Sequence, residues 1–187
     1  MSKIVLILSA MLITAGVFAQ SEISGVTPAK SIQVSEQNLL FNGAGLRERL
    51  FLDLYVGALY LEVNSSDAAQ VIAKDESMAI TIDIVSSLMT SEKMISSMDE
   101  GFEKSTNGKV APLKEKIQIF KDAFKDEIIK GDRYVIAYSP SKGNTVSKNG
   151  KVVKTIFGLD FKKAVFGIWF CDEPADEDLK EGMLGLD

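Results

Sequence analysis

Any chemistry in this chain has to be done without imidazole. The sequence contains no histidine and a single cysteine, Cys171. That removes Ser-His-Asp and Cys-His nucleophilic machinery, and every zinc site built on imidazole. The groups left for acid–base work are four tyrosines, Tyr55, Tyr60, Tyr134 and Tyr138, together with lysines and carboxylates. Asp172, Glu173, Asp176, Glu177 and Asp178 form an acidic cluster. A loop leading into a helix start favours acids anyway, so neither a metal nor a cofactor is expected. The least ordinary segment is Asn42-Gly43-Ala44-Gly45-Leu46-Arg47-Glu48-Arg49. Its glycines suggest a bulge or a close backbone approach. Arg47, beside Glu48 and near Asp53, reads from the residues alone as a salt-bridged or solvated side chain.

The elements that must position these groups follow from periodicity. Residues 20–30 are polar and rich in small residues, a flexible leader. Ser31–Val34 and 39–42 read as short strands. Residues 50–63 are apolar at both parities, with Asp53 and Glu62 their only charges, which predicts one strand buried on both faces. A short helix is expected over 66–74, capped by Ser65 or Ser66. Residues 78–85 alternate Ile80, Ile82 and Ile84 with Thr81 and Asp83, the pattern of a half-buried strand. Thr90 is placed to cap a helix whose stripe is Met94, Ile95, Met98 and Phe102. The methionines at 89, 94 and 98 read either as an ordinary core stripe or as the wall of a greasy cleft. Pro112 suits the first turn of a further helix, with Leu113, Ile117, Phe120 and Phe124 as its apolar face.

Arg133–Ser139 reads as a strand with Tyr134, Ile136 and Tyr138 on one side. Asn149-Gly150, between 145–147 and 151–157, is the strongest hairpin signal in the chain. Asp160 is expected to cap a helix through 161–170, and a last helix is expected over 176–183. Hairpins dominate and the βαβ rhythm is absent, which predicts an α+β domain: a large antiparallel sheet covered on one face by a layer of helices.

The bulk properties constrain partners. Lys3 is followed by an apolar run over 4–18 and by Val17-Phe18-Ala19, small at the two positions a signal peptidase reads. Residues 1–19 are therefore expected to be a cleaved export signal, and residues 20–187 one periplasmic or extracellular domain. The run is short for a membrane span of roughly 20 residues, so no stable membrane anchor is expected. The whole chain carries a net charge of −5, without the basic patch that nucleic acid requires. The oligomeric state is left open.

Two stretches resemble the chalcone isomerase-like family, especially its bacterial exported members. The first is the segment 42–49 leading into Leu50-Phe51-Leu52-Asp53-Leu54-Tyr55-Val56-Gly57-Ala58-Leu59-Tyr60-Leu61. The second is Gly158-Leu159-Asp160-Phe161, followed by Ala164, Phe166, Ile168, Trp169, Asp172, Pro174 and Leu179. The resemblance implies the family's open-faced sandwich and a ligand cleft between sheet and helices. Plant members of the family close chalcones to flavanones, and plastid relatives bind fatty acids. Arg47 matches the family arginine that faces the cleft, and Tyr60 matches a tyrosine that helps the binders hold a carboxylate. A guanidinium grips a carboxylate through two parallel charge-assisted bonds. The enzymes' threonine has no counterpart in residues 50–63, so no catalytic residue is assigned and ring closure is not expected. The resulting expectation is non-catalytic binding of a fatty acid or similar apolar carboxylate by Arg47 and Tyr60. An isomerase or intramolecular lyase, and a structural or interaction domain with a closed cleft, are the alternatives.

Overall fold

Every strand of the sheet pairs with its neighbours in the chain. The structure, a computed structural model, describes residues 22–186; the expected signal over 1–19 and its cleavage before Gln20 lie outside the described residues. The elements are β1 (Ser31–Val34), β2 (Gln37–Arg49), β3 (Leu52–Leu61), α1 (Ala68–Ala73), β4 (Met78–Ile84), α2 (Ser91–Ser105), α3 (Lys114–Lys121), β5 (Arg133–Ser139), β6 (Gly143–Lys148), β7 (Lys151–Ile156), α4 (Leu159–Phe170) and α5 (Glu177–Leu184). The seven strands form one antiparallel sheet in sequence order, and the helices build a layer on one face. This is the α+β class expected.

The largest departure from the sequence reading lies at residues 50–63, which are not one strand. β2 continues to Arg49, the chain reverses at Leu50-Phe51, and β3 begins at Leu52. Leu50 (φ 52°) and Phe51 (φ 64°) both adopt left-handed backbone, as a two-residue hairpin turn of this type requires. Asn149 (φ 51°) and Gly150 (φ 79°) build the same turn between β6 and β7 from residues that tolerate it. For Leu and Phe the left-handed backbone costs about 1–2 kcal/mol each. Nothing offsets that cost by packing, since Leu50 is 82% and Phe51 100% exposed.

Alternation along the strands sorts two cores. Tyr55, Leu59 and Leu61 of β3, Ile80, Ile82 and Ile84 of β4, and Tyr134, Ile136 and Tyr138 of β5 face the helices. The other face carries a small cluster of Val34, Leu39, Ala58, Tyr60, Ala79 and Ala137. It is closed by curvature: the end of β1 comes up to the end of β5, where the Ser35 and Ser139 hydroxyls lie 3.2 Å apart. β4 is consequently buried on both faces at its centre, not half-buried as its alternation predicts.

α4 is the centre of the helical layer, with nearly all its residues buried. α2 crosses it closely, because Gly101 meets the Ile168 side chain and Gly167 meets Ser105. Met94, Met98 and Phe102 of α2 enter this core, and Thr90 caps the helix through Lys93 N–H (3.3 Å). Two caps differ from expectation. Asp67, not Ser65 or Ser66, caps α1 through Gln70 N–H. Gly158 stands at the start of α4, and Asp160 instead binds Lys116 Nζ at 2.8 and 2.9 Å. Lys162 of α4 is fully buried, and its ammonium donates to the carbonyls of Val71, Ile72 and Lys74 at the end of α1 (2.6–2.9 Å).

Candidate functional site

Arg47 pairs in register with Tyr55 across the β2–β3 ladder, so the two side chains share the helix-facing side of the sheet. Trp169 of α4 donates its indole N–H to the Tyr55 hydroxyl at 3.1 Å. That leaves the hydroxyl proton for another acceptor. Burial raises the Tyr55 pKa; the Trp169 bond and the Arg47 charge oppose the rise, and Asp176 adds to it. The phenol is therefore protonated at neutral pH, with a proton it can donate.

Asp176 completes the cluster. Its Oδ1 accepts from Leu179 N–H at 3.0 Å as the N-cap of α5, and its Oδ2 accepts from Arg47 Nη1 at 2.6 Å. Arg47 also donates to the Glu48 carbonyl at 3.0 Å. The pair is mostly withdrawn from water, with side-chain exposures of 17% for Arg47 and 14% for Asp176. The glycine pattern explains how Asp176 gets there. A Cβ on Gly43 would lie 2.2 Å from the Gly182 carbonyl oxygen, and one on Gly45 would lie 3.0 Å from Leu179 Cα. With no side chains at those positions, α5 lies directly on β2. Asn42 fastens it by donating to the Met183 carbonyl at 2.9 Å.

The structure does not bring Tyr60 to Arg47. Tyr55 and Tyr60 are five residues apart on β3, so they point to opposite faces. Tyr60 packs edge-on against Phe41 (5.9 Å, 69°) in the small back cluster. Burial chiefly raises its pKa, and its hydroxyl lies with Thr81 and the Ala29 backbone. The turn needed to set the two residues on neighbouring strands exists, but strand parity separates them. A single clamp of Arg47 and Tyr60 does not form, and Tyr55 is the hydroxyl beside Arg47.

The model of the chalcone isomerase-like family matches residues 20–185. The chain belongs to that family. Among solved structures, this chalcone isomerase-like chain is similar to the Arabidopsis thaliana fatty-acid binding protein AtFAP1, with a TM-score of 0.68 and 19% identity over 86% of this chain and 92% of that one. At that identity the likeness is one of fold. No curated protein matches.

Toward the hairpin tip from Arg47, the sheet of this chalcone isomerase-like chain opens into a mostly apolar groove of about 400 Å³, whose lining does not include Arg47, Tyr55, Trp169 or Asp176. It lies between the β2–β3 hairpin and the start of α2, lined by Leu50, Leu52, Leu54, Leu88 and Met89 with Arg49 and Lys93. It reaches Leu54, next to Tyr55, and Arg49, two residues beyond Arg47. Met89, Met94 and Met98 all belong to the buried core, as an ordinary core stripe would, and of the three Met89 also lines the groove. Sequence reasoning placed Asp176 at a helix start but missed its grip on Arg47, and it assigned no role to Tyr55 and Trp169. The odd spacing of Tyr55 and Tyr60 was the available signal.

Proposed function

We propose that the protein binds a fatty acid or similar apolar carboxylate, with the headgroup at Arg47 and the chain in the groove beneath α2. The observation that carries this reading is the Arg47–Asp176 pair. A guanidinium on the helix-facing side of the sheet, largely shielded from water, already holds a carboxylate at 2.6 Å beside a phenol with a proton to give. A ligand carboxylate takes the place of Asp176, with Tyr55 as second donor. The fold shared with a fatty-acid binding protein supports the same reading. The groove volume falls in the range of about 300–1,000 Å³ typical of small-molecule pockets.

The magnitudes are adequate. Burying roughly 12–14 methylenes at ~0.8 kcal/mol each gives about 10 kcal/mol gross. The charged pair adds about 1.5–3 kcal/mol. Association removes several kcal/mol or more, leaving dissociation constants on the order of micromolar. We read residues 1–19 as an export signal, which puts this binding outside the cytoplasm. The family match begins at residue 20 and so leaves the apolar run outside it.

The test is calorimetric titration of palmitate into the chain from Gln20 and its Arg47→Ala variant. Truncation leaves the ligand carboxylate without its partner, at about 3–5 kcal/mol. The variant should then bind at least roughly 100-fold more weakly. Equal binding by both proteins refutes the assignment. Absence of binding by both proteins, wild type included, supports the closed-cleft alternative, in which Asp176 holds Arg47 permanently.

A further inference from the structure

The hairpin tip at Leu50-Phe51 has no explanation within the fold. The chain builds the same left-handed turn from Asn149-Gly150 between β6 and β7, so its backbone geometry does not call for Leu and Phe. Nor does packing, because both side chains stand in solvent. Two large apolar side chains on strained backbone at the extremity of a hairpin point to a contact outside the chain.

Charge identifies the occupant. Among the described residues, Arg49 and Lys93 are the only charged ones lining the groove beneath the tip, within a chain of net charge −5. The nearest acids on the hairpin, Glu48 and Asp53, pair with each other in register at the alternate position from Arg47 and Arg49. They lie on the opposite face, where Asp53 accepts from the Ser24 hydroxyl at 2.6 Å. Projecting apolar side chains with a cationic collar match a layer that is apolar inside and anionic at its rim. We propose that the β2–β3 tip docks on an anionic lipid surface, with Leu50 and Phe51 entering the acyl region and Arg49 and Lys93 against the headgroups. Such docking turns the mouth of the groove toward the lipid.

The experiment is flotation of the chain from Gln20, which holds every described element of the fold, with two kinds of vesicle. One kind is phosphatidylcholine alone, and the other contains about one-third phosphatidylglycerol. Three proteins are compared: wild type, Leu50→Asn/Phe51→Gly and Arg49→Ser/Lys93→Ser. The first variant copies the β6–β7 turn and so keeps the hairpin, which circular dichroism and thermal melts check. Wild type is expected to float with the anionic vesicles, and the tip variant to bind them at least roughly 20-fold more weakly. The charge variant should lose about tenfold on anionic vesicles and much less on neutral ones, and the wild-type advantage should shrink in high salt. Equal flotation of wild type and tip variant overturns the proposal. So does a wild type that binds neither vesicle but self-associates through the tip, which would make it a protein contact. Leu50, Arg49 and Lys93 also line the groove, so flotation is run without palmitate. Its outcome is read from vesicle binding alone, while the palmitate titration reads Arg47→Ala in a protein with an intact tip.

Discussion

Replacing Asp176 by Asn separates its two tasks. Asparagine caps a helix about as well as aspartate, so the bond to Leu179 N–H survives and α5 keeps its start. What is lost is the negative charge opposite Arg47. The single oxygen of asparagine is taken by Leu179 N–H, so its NH2 faces the guanidinium and the Arg47 bond is lost along with the charge. A hydrogen bond to a charged group is worth about 1.5–3 kcal/mol, and water reaching the partly exposed Arg47 recovers some of it, so the net loss is about 1–2 kcal/mol. In the unliganded protein this appears as lost stability, a fall of roughly 3–6 °C in melting temperature for a domain of this size. Toward palmitate it acts in the opposite direction. The ligand no longer has to displace an anion, and its affinity should rise by roughly 5–30-fold. Ligand at a hundred times its dissociation constant then returns about 2.7 kcal/mol of stability. Paired melts and titrations on wild type and Asp176→Asn read both effects. A variant that is destabilised yet binds palmitate no better, or worse, refutes competition between Asp176 and the ligand.

Three further outcomes are expected. Leu50→Asn/Phe51→Gly should stabilise the fold by about 1–3 kcal/mol in urea unfolding, since it relieves left-handed strain at two residues; destabilisation would mean that the turn is held by packing. Tyr60→Phe should leave palmitate affinity unchanged while costing about 0.5–1.5 kcal/mol of stability, because the residue belongs to the back cluster; a large loss of affinity would return Tyr60 to the site. Burial, then Lys163, lowers Lys162 from its ordinary 10.5 to about 8, against the smaller opposing pull of Asp75 and Glu76. Between pH 8 and 10.5 the folded state thus binds fewer protons than the unfolded one, and the stability of wild type relative to Lys162→Met should climb by about 3 kcal/mol over that window. A flat difference would show that the three carbonyl acceptors keep the ammonium charged.

The sheet and the helix order were legible because they are written in local periodicity. β1, β5, the Asn149-Gly150 turn and the Thr90 cap appear where alternation and cap chemistry put them. The hairpin at Leu50-Phe51 was illegible for a physical reason: its residues are among those least suited to the backbone they adopt, so no turn signal marks it. Losing that turn lost the register between β2 and β3, and with it the parity that sets Tyr55, not Tyr60, beside Arg47. Family resemblance supplied Arg47. It could not supply Asp176, whose acidity is equally well explained by helix capping. The link between residues 47 and 176 is made by glycines that admit α5 onto β2, a contact spanning 129 positions that no local pattern encodes.

Palmitate labelled with carbon-13 at its carboxyl reports directly on whether Arg47 holds the headgroup. A guanidinium within bonding distance favours the ionised form, whereas an apolar cleft without it favours the neutral acid. Bound to wild type, the labelled carboxyl should stay ionised from about pH 8 down to about pH 5; with Arg47→Ala, any bound fraction should become protonated within that range. Identical titration of the bound carboxyl in the two proteins would contradict the account.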